Sequence, residues 1–163
     1  MIKILITGGL GFIGSNLTEY LLKKKKIKLF IIDNLSSNKV SIPKSGIKLF
    51  KVDINNINKI NFLKKNVDVV IHLAASAEIL IKKESEKKYF LDNVSGLQEV
   101  LNFCVRNKVK KLIFASSSSV YGDTENKKID ENFILKPAHY YAYTKFIGEK
   151  MIQNYLRMNN INY

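Results

Sequence analysis

Short apolar runs alternate along this chain with longer segments in which apolar residues recur every three or four positions. The first run, residues 2–7, is almost entirely apolar or β-branched and ends at a pair of glycines, which is typical of a strand buried on both faces. Later runs of the same character predict four more strands, at residues 29–32, 47–52, 67–73 and 111–115.

The segments between these runs predict helices, because each carries an apolar stripe at helical spacing. The stripes consist of Ile13, Leu17 and Leu21; of Ile57, Ile60 and Leu63 in a short helix; of Phe90, Val94, Leu97, Leu101 and Cys104; and of Ile147, Met151 and Tyr155 in a last helix that starts at Pro137. Alternating strands and helices favour the α/β class, with a doubly wound parallel sheet and helices on both faces.

The chain of 163 residues is long enough for one domain, residues 1–163. A doubly wound nucleotide-binding sheet has two halves of three strands, and residues 159–163 read as the turn into the sixth strand. We therefore expect a sheet that is cut where its sixth strand starts. A single cysteine, Cys104, excludes an internal disulfide, and the first strand directly after Met1 leaves no room for a leader, so a cytoplasmic location is expected.

A formal net charge of +13 raises the question of a nucleic-acid partner. The lysines are spread over the whole sequence, and no stretch interleaves aromatic with basic residues as a base-stacking surface would. This pattern argues against nucleic acid as a partner, and attraction of an anionic nucleotide ligand explains the charge more economically. No apolar run is long enough to cross a bilayer.

A glycine pattern follows the first predicted strand: Gly9-x-Gly11-x-x-Gly14, with Gly8 directly before it. Such glycines let the chain turn sharply, let backbone N–H groups approach a pyrophosphate, and let the next helix pack on the sheet. Asp33 ends the second strand, close to the position of the acid that binds an adenosine ribose. The pattern predicts a Rossmann-type dinucleotide site, and the alternative is a glycine-rich turn in another α/β protein.

Tyr141 and Lys145 form a Tyr-x-x-x-Lys pair on one face of the last predicted helix. An ammonium beside a phenol favours the phenolate, which could take a proton from a hydroxyl while hydride leaves for a nicotinamide. The spacing is common by chance, and it gains weight only because it follows a dinucleotide pattern.

Seven motifs occur along the chain in this order: Thr7-Gly8-Gly9-Leu10-Gly11-Phe12-Ile13-Gly14, Asp33-Asn34-Leu35-Ser36-Ser37, Asp53-Ile54, His72-Leu73-Ala74-Ala75, Asn93-Val94-Ser95-Gly96, Ser116–Gly122, and Tyr141-x-x-x-Lys145-x-x-Gly148-Glu149. In these motifs the chain resembles the extended branch of the short-chain dehydrogenase/reductases, the NAD-dependent nucleotide-sugar epimerase/dehydratase family. The resemblance covers essentially the whole chain.

The resemblance implies NAD as the cofactor and assigns residues to it. The implied cofactor set is Gly8, Gly11, Phe12, Ile13, Gly14, Asp33, Asn34, Asp53, Ile54, Leu73, Ala74, Ala75, Asn93, Tyr141 and Lys145. Within it the glycines would bind the pyrophosphate, Asp33 would bind the adenosine ribose and repel the 2′-phosphate of NADP, and Asp53 and Ile54 would border the adenine. For Asn93, a helix-start cap is the alternative role.

The resemblance also implies three catalytic residues. Tyr141 would be the base, Ser117 would hydrogen-bond the reacting oxygen, and Lys145 would bind the nicotinamide ribose and lower the pKa of Tyr141. Dehydratases of the family carry Asp-Glu where this chain has Ser118 and Ser119, which disfavours a 4,6-dehydratase. The resemblance also leads us to expect that residues 1–163 lack the family's C-terminal substrate lobe.

The predicted function is a nucleotide-sugar epimerase that oxidises a sugar hydroxyl, with a UDP-sugar as the favoured substrate. Two alternatives stay open: another reductase or dehydrogenase of the family, and a non-catalytic NAD-binding module. The family resemblance also suggests a homodimer through the helices at 86–106 and 140–157. His72 and His139 have no clustered ligands, so no metal site is predicted.

Overall fold

The computed structural model describes residues 1–36, 45–77, 85–124 and 128–163; Ser37 lies outside them. Five strands form one sheet: β1 (Ile2–Thr7), β2 (Ile27–Asp33), β3 (Ile47–Lys51), β4 (Val69–His72) and β5 (Lys111–Phe114). All neighbours pair in parallel, in the order β3-β2-β1-β4-β5. The reversal of strand order beside β1 is the doubly wound topology that the alternating pattern predicts, and the prediction is confirmed.

Helices pack on both faces of this sheet: α1 (Phe12–Leu22), α2 (Ser85–Tyr89), α3 (Gly96–Asn107) and α4 (Tyr140–Met158). Successive residues of a strand point to opposite faces, so β1 and β2 supply side chains to two separate cores. Ile4, Ile6 and Leu29 pack with the apolar stripe of α1. Leu5 and Phe30 lie on the other face, in the larger core with Leu97, Cys104 and Ile152 of the later helices.

The predicted long helix is interrupted. Between α2 and α3 the backbone widens into one π-helical turn, Phe90–Ser95, which periodicity alone did not reveal. Directly after the π turn, Gly96 packs against Ile54, which follows β3 in the chain: a Cβ on Gly96 would stand 2.6 Å from Cγ2 of Ile54. The close approach brings the π turn over the carboxyl ends of the strands. Turns of this kind are frequent at functional sites.

Two other predicted elements differ in detail. The short helix predicted around Ile57 is two 3₁₀ segments, Ile54–Lys59 and Asn61–Leu63. The last helix begins three residues after Pro137, at Tyr140, because His139 is extended and its ring nitrogen Nδ1 accepts a hydrogen bond from the Ala142 N–H at 3.3 Å.

The predicted turn towards a sixth strand makes its first contact with β5. Asn162 forms a parallel bridge with Lys111, and the Leu112 N–H donates to the Asn162 carbonyl at 2.9 Å. This bridge lies on the side of β5 that is not occupied by β4. In the described part of the chain, no helix is long and apolar enough to cross a membrane.

Candidate active site

The glycine loop after β1 is folded so tightly that side chains would not fit at Gly8 and Gly14. Gly8 has a φ of +67°, and a Cβ there would lie 2.7 Å from the backbone nitrogen of Ala74. A Cβ on Gly14 would lie only 2.2 Å from the Gly8 carbonyl oxygen. Gly11 is the N-cap of α1 and has no side chain, so no side chain at this position caps the first N–H groups of the helix. A backbone cradle at a helix N-terminus suits a pyrophosphate.

Asp33 joins the glycine loop to the end of β2. Its Oδ2 accepts a hydrogen bond from the Leu10 N–H at 2.9 Å, and its Oδ1 accepts one from the Leu35 N–H at 2.8 Å. The side chain is nearly buried. A carboxylate has about four acceptor positions, so Asp33 keeps acceptor capacity for the hydroxyls of a ribose.

One cleft at the carboxyl ends of β1, β2 and β4 collects most of the predicted cofactor residues: Gly8, Gly11, Asp33, Asn34, Asp53, Ile54, Leu73, Ala74 and Ala75 all line it. Five residues that were not predicted to bind the cofactor line it too: Ile32, Ser36, Val52, Ser76 and Asp92. Phe12 and Ile13 have exposed side chains on the first turn of α1. Gly14 supports the cradle from below rather than lining the cleft.

Asp53 is held as a carboxylate at the edge of the cleft. Burial raises its pKa, but hydrogen bonds from Asn55 and Asn34 and the charge of Lys88 outweigh burial, so the pKa lies below its ordinary value. Asp53 also caps the 3₁₀ segment that follows β3. The group is therefore both a structural cap and a fixed negative charge at the cleft.

Asn93 links the cleft to the last helix. Its Oδ1 accepts from the Ser76 N–H at 2.8 Å, and its Nδ2 donates to the Ser76 carbonyl at 2.9 Å and to the Thr144 hydroxyl at 3.0 Å. Asn93 is buried in the π turn, so the alternative role of a helix-start cap does not hold. Its amide holds the loop after β4 against the helix that carries Tyr141.

Tyr141 stands beside Ser117, the residue that the family resemblance places at the reacting oxygen. Ser117 is extended and caps the 3₁₀ segment Ser118–Tyr121. Burial raises the pKa of Tyr141, a hydrogen bond with the Ser117 side chain lowers it, and Tyr89 raises it, with a net increase. The family resemblance implied that Lys145 lowers this pKa; in the structure the net shift is upward instead, and burial is its largest cause.

Lys145 is buried and points away from solvent along the sheet. Its Nζ donates to the Ala115 carbonyl at 2.9 Å, and lies 4.8 Å from the centre of the Phe114 ring and 5.8 Å from that of Tyr141. Burial lowers the pKa of Lys145 from 10.5 to about 8. The ammonium therefore stands at the end of β5, beside the phenol.

The two histidines have structural partners. His72 is the last residue of β4; its Nδ1 is 2.7 Å from the Thr7 hydroxyl, and burial lowers its pKa to about 3. His139 caps α4 and stacks on the Tyr141 ring at 6.1 Å. Within the described residues, no group of three or more His, Cys, Asp or Glu side chains could hold a metal ion.

Comparison with known families decides the identity of this arrangement. Residues 4–163 match the model of the NAD dependent epimerase/dehydratase family. The chain belongs to this family. NAD is the cofactor named in the description of this family.

Individual relatives agree with the family assignment. The chain is 34% identical to the uncharacterised UDP-glucose epimerase YtcB of Bacillus subtilis over 94% of this chain and 51% of that protein. It is 33% identical to the dTDP-D-glucose 4,6-dehydratase of Dictyostelium discoideum over 95% of this chain and 40% of that protein. The Thermus thermophilus UDP-glucose 4-epimerase in complex with NAD superposes with a TM-score of 0.90 at 29% identity, over 98% of this chain and 52% of that one. The family member described here thus spans about half the length of the relatives it matches.

The buried ammonium of Lys145 gives this family member a measurable pH signature. Between pH 8 and 10.5 the unfolded chain binds the Lys145 proton more tightly than the folded chain, so the proton destabilises the fold at neutral pH and this cost disappears as pH rises. The free energy of unfolding, relative to that of a Lys145→Met variant, is expected to rise by about 3 kcal/mol from about pH 7 to pH 11. Denaturant titrations of both proteins at several pH values measure this difference, and a constant difference would contradict it.

Proposed function

We propose that this chain is the NAD-binding part of a nucleotide-sugar epimerase that oxidises a sugar hydroxyl and returns hydride to the other face. The observation that carries the proposal is the contact between two sites: the Asn93 amide joins the loop lining the cleft to the helix of Tyr141 and Lys145. A cofactor cleft and a proton-transfer group fixed to each other are what hydride transfer requires.

The residues of the cleft fit a dinucleotide. The glycine cradle at α1 would hold the pyrophosphate, and Asp33 would accept from the hydroxyls of the adenosine ribose. A carboxylate at this position repels a 2′-phosphate, which favours NAD over NADP. When bound, NAD supplies a hydride acceptor that later returns the hydride.

The residues of α4 and β5 would move the proton. The Tyr141 phenolate would take the proton from the sugar hydroxyl as the C–H hydride leaves, and would return it when the carbonyl is reduced. The Ser117 hydroxyl would donate to the reacting oxygen. The Lys145 ammonium, held by Ala115, would favour the phenolate once the positive nicotinamide adds to its effect.

An epimerase fits this site better than a dehydratase. Elimination of water needs an acid and a base besides the tyrosine, and the two residues after Ser117 are Ser118 and Ser119, which carry no carboxylate. The UDP-sugar names of the Bacillus and Thermus proteins support a UDP-sugar as substrate. Exposed apolar side chains on the π turn and α4, Phe90, Leu91, Tyr143 and Ile147, support a homodimer through these helices.

The experiment is incubation of the protein, at the full length its gene encodes, with UDP-glucose and NAD. We expect UDP-galactose to form without net NADH, because hydride is returned in every cycle. Chromatography of the sugar nucleotides and NADH absorbance measure the two quantities. Net NADH formation from the sugar would instead indicate a dehydrogenase, and NAD binding without conversion of UDP-sugars would indicate a binding module.

A further inference from the structure

The charged residues among those that line the cofactor cleft are all acidic. Three of its residues, Asp33, Asp53 and Asp92, are carboxylates, and none is a lysine or an arginine. A dinucleotide brings further negative charge on its pyrophosphate, so every unpaired carboxylate in the cleft opposes its binding. The binding of a dinucleotide therefore depends on how neighbouring groups hydrogen-bond or neutralise these carboxylates.

Two of the three carboxylates are engaged by neutral donors. Asp33 accepts from the backbone N–H groups of Leu10 and Leu35. Asp53 accepts from Asn55 and Asn34. These hydrogen bonds stabilise the charges without cancelling them.

Asp92 differs because it is paired with a cation. The Lys88 ammonium lies 2.8 Å from Asp92 Oδ2, four residues earlier in the helix. Ser76 closes the group: its hydroxyl donates to Asp92 Oδ2 and accepts from Lys88 Nζ, both at 2.5 Å. Ser76 and Asp92 line the cleft, so Lys88 contacts two residues of the cleft wall. The charge of Lys88 also reaches Asp53, whose pKa it helps to lower.

We propose that Lys88 is an affinity-determining residue of the cofactor cleft, which acts by cancelling the charge of Asp92 rather than by touching the ligand. This inference rests on the proposed NAD binding. Because Lys88 is largely exposed to solvent, water screens the effect, and its size is a few-fold change in affinity rather than a complete loss.

The test compares three variants by isothermal titration calorimetry with NAD. Lys88→Met leaves Asp92 uncompensated and is expected to weaken NAD binding about three- to tenfold at low salt. Lys88→Met combined with Asp92→Asn removes both charges and is expected to restore the affinity of the original protein. Lys87→Met is the matched control: it removes the same net charge one residue away, without the Lys88 contacts to Ser76 and Asp92, and is expected to change affinity less than twofold.

Ligand charge gives an independent measurement. ADP-ribose, which is more negative than NAD, should lose more affinity than NAD in Lys88→Met, and neutral adenosine should lose none. If the double variant binds NAD as weakly as Lys88→Met does, or if Lys88→Met loses as much affinity for adenosine as for NAD, the charge-cancelling role is wrong. An original protein that does not bind NAD overturns the proposed function together with this inference. If the original protein and all three variants bind NAD with equal affinity, this inference alone is overturned.

Discussion

Replacement of Tyr141 by phenylalanine is expected to lower turnover of the UDP-sugar by about 10²- to 10⁴-fold, because that is the rate contribution of a positioned general base and Tyr141 is the proposed base. The substitution removes a single oxygen atom. The ring keeps its stacking on His139 and its edge contact with Tyr89. Steady-state measurement of epimerisation, with the protein at the full length its gene encodes, gives the change in kcat.

Binding of NAD separates loss of chemistry from loss of structure. In Tyr141→Phe we expect the affinity for NAD to stay within about threefold, since Tyr141 does not line the cleft. Tyr140→Phe is the matched control, because Tyr140 is the neighbouring tyrosine, also packs its ring on Tyr89, and has no lysine four residues later. Turnover that survives in Tyr141→Phe, or falls equally in Tyr140→Phe, would contradict the assignment of the base.

The second large effect is expected at Gly14. An alanine there would place its Cβ 2.2 Å from the Gly8 carbonyl oxygen and 2.7 Å from the Gly9 Cα. Both contacts are with backbone, so neither can be relieved by the turn of a side chain. Overpacking of this kind costs about 3 kcal/mol, and the glycine loop must move to avoid it. We expect Gly14→Ala to lower the Tm clearly and to abolish NAD binding.

Gly11→Ala is the control for Gly14→Ala, because it makes the same chemical change three residues earlier. Its Cβ would stand 3.4 Å from the nearest atom, the Gly8 carbonyl oxygen, which is an ordinary contact. Gly11 lines the cleft, so its alanine is expected to weaken NAD binding while the Tm hardly changes. Thermal unfolding and calorimetry on both variants measure the two effects, and equal losses of stability would show that the two glycines do not differ as described.

The features that could be predicted from the sequence depend on residues that are close together along the chain. Alternation of apolar runs and helical stripes was enough for the parallel sheet with helices on both faces, because burial of strands and helices follows their own periodicity. Asp33 could be found because the glycine loop follows β1 and Asp33 ends β2, and these are adjacent strands of one βαβ unit.

The features that escaped prediction depend on contacts between distant parts of the chain. Ser76 and Asp92 became cleft residues only when the π turn brought α2 over the loop after β4. The i, i+4 spacing of Lys88 and Asp92 was visible, but such pairs are frequent on solvent-exposed helix faces. The direction of the Tyr141 pKa depends on burial, which a local pair of residues does not reveal.

The Asn93 amide has a consequence for which substitutions the protein can tolerate. All three of its hydrogen bonds use the full set of an amide: one acceptor oxygen and both hydrogens of one nitrogen. Aspartate has the same shape but no N–H to give, so it would lose both hydrogen bonds that the Asn93 Nδ2 donates, and leucine would lose all three. No other residue of this size supplies the same three groups. Genetic drift at position 93 is therefore restricted by hydrogen-bond polarity rather than by volume.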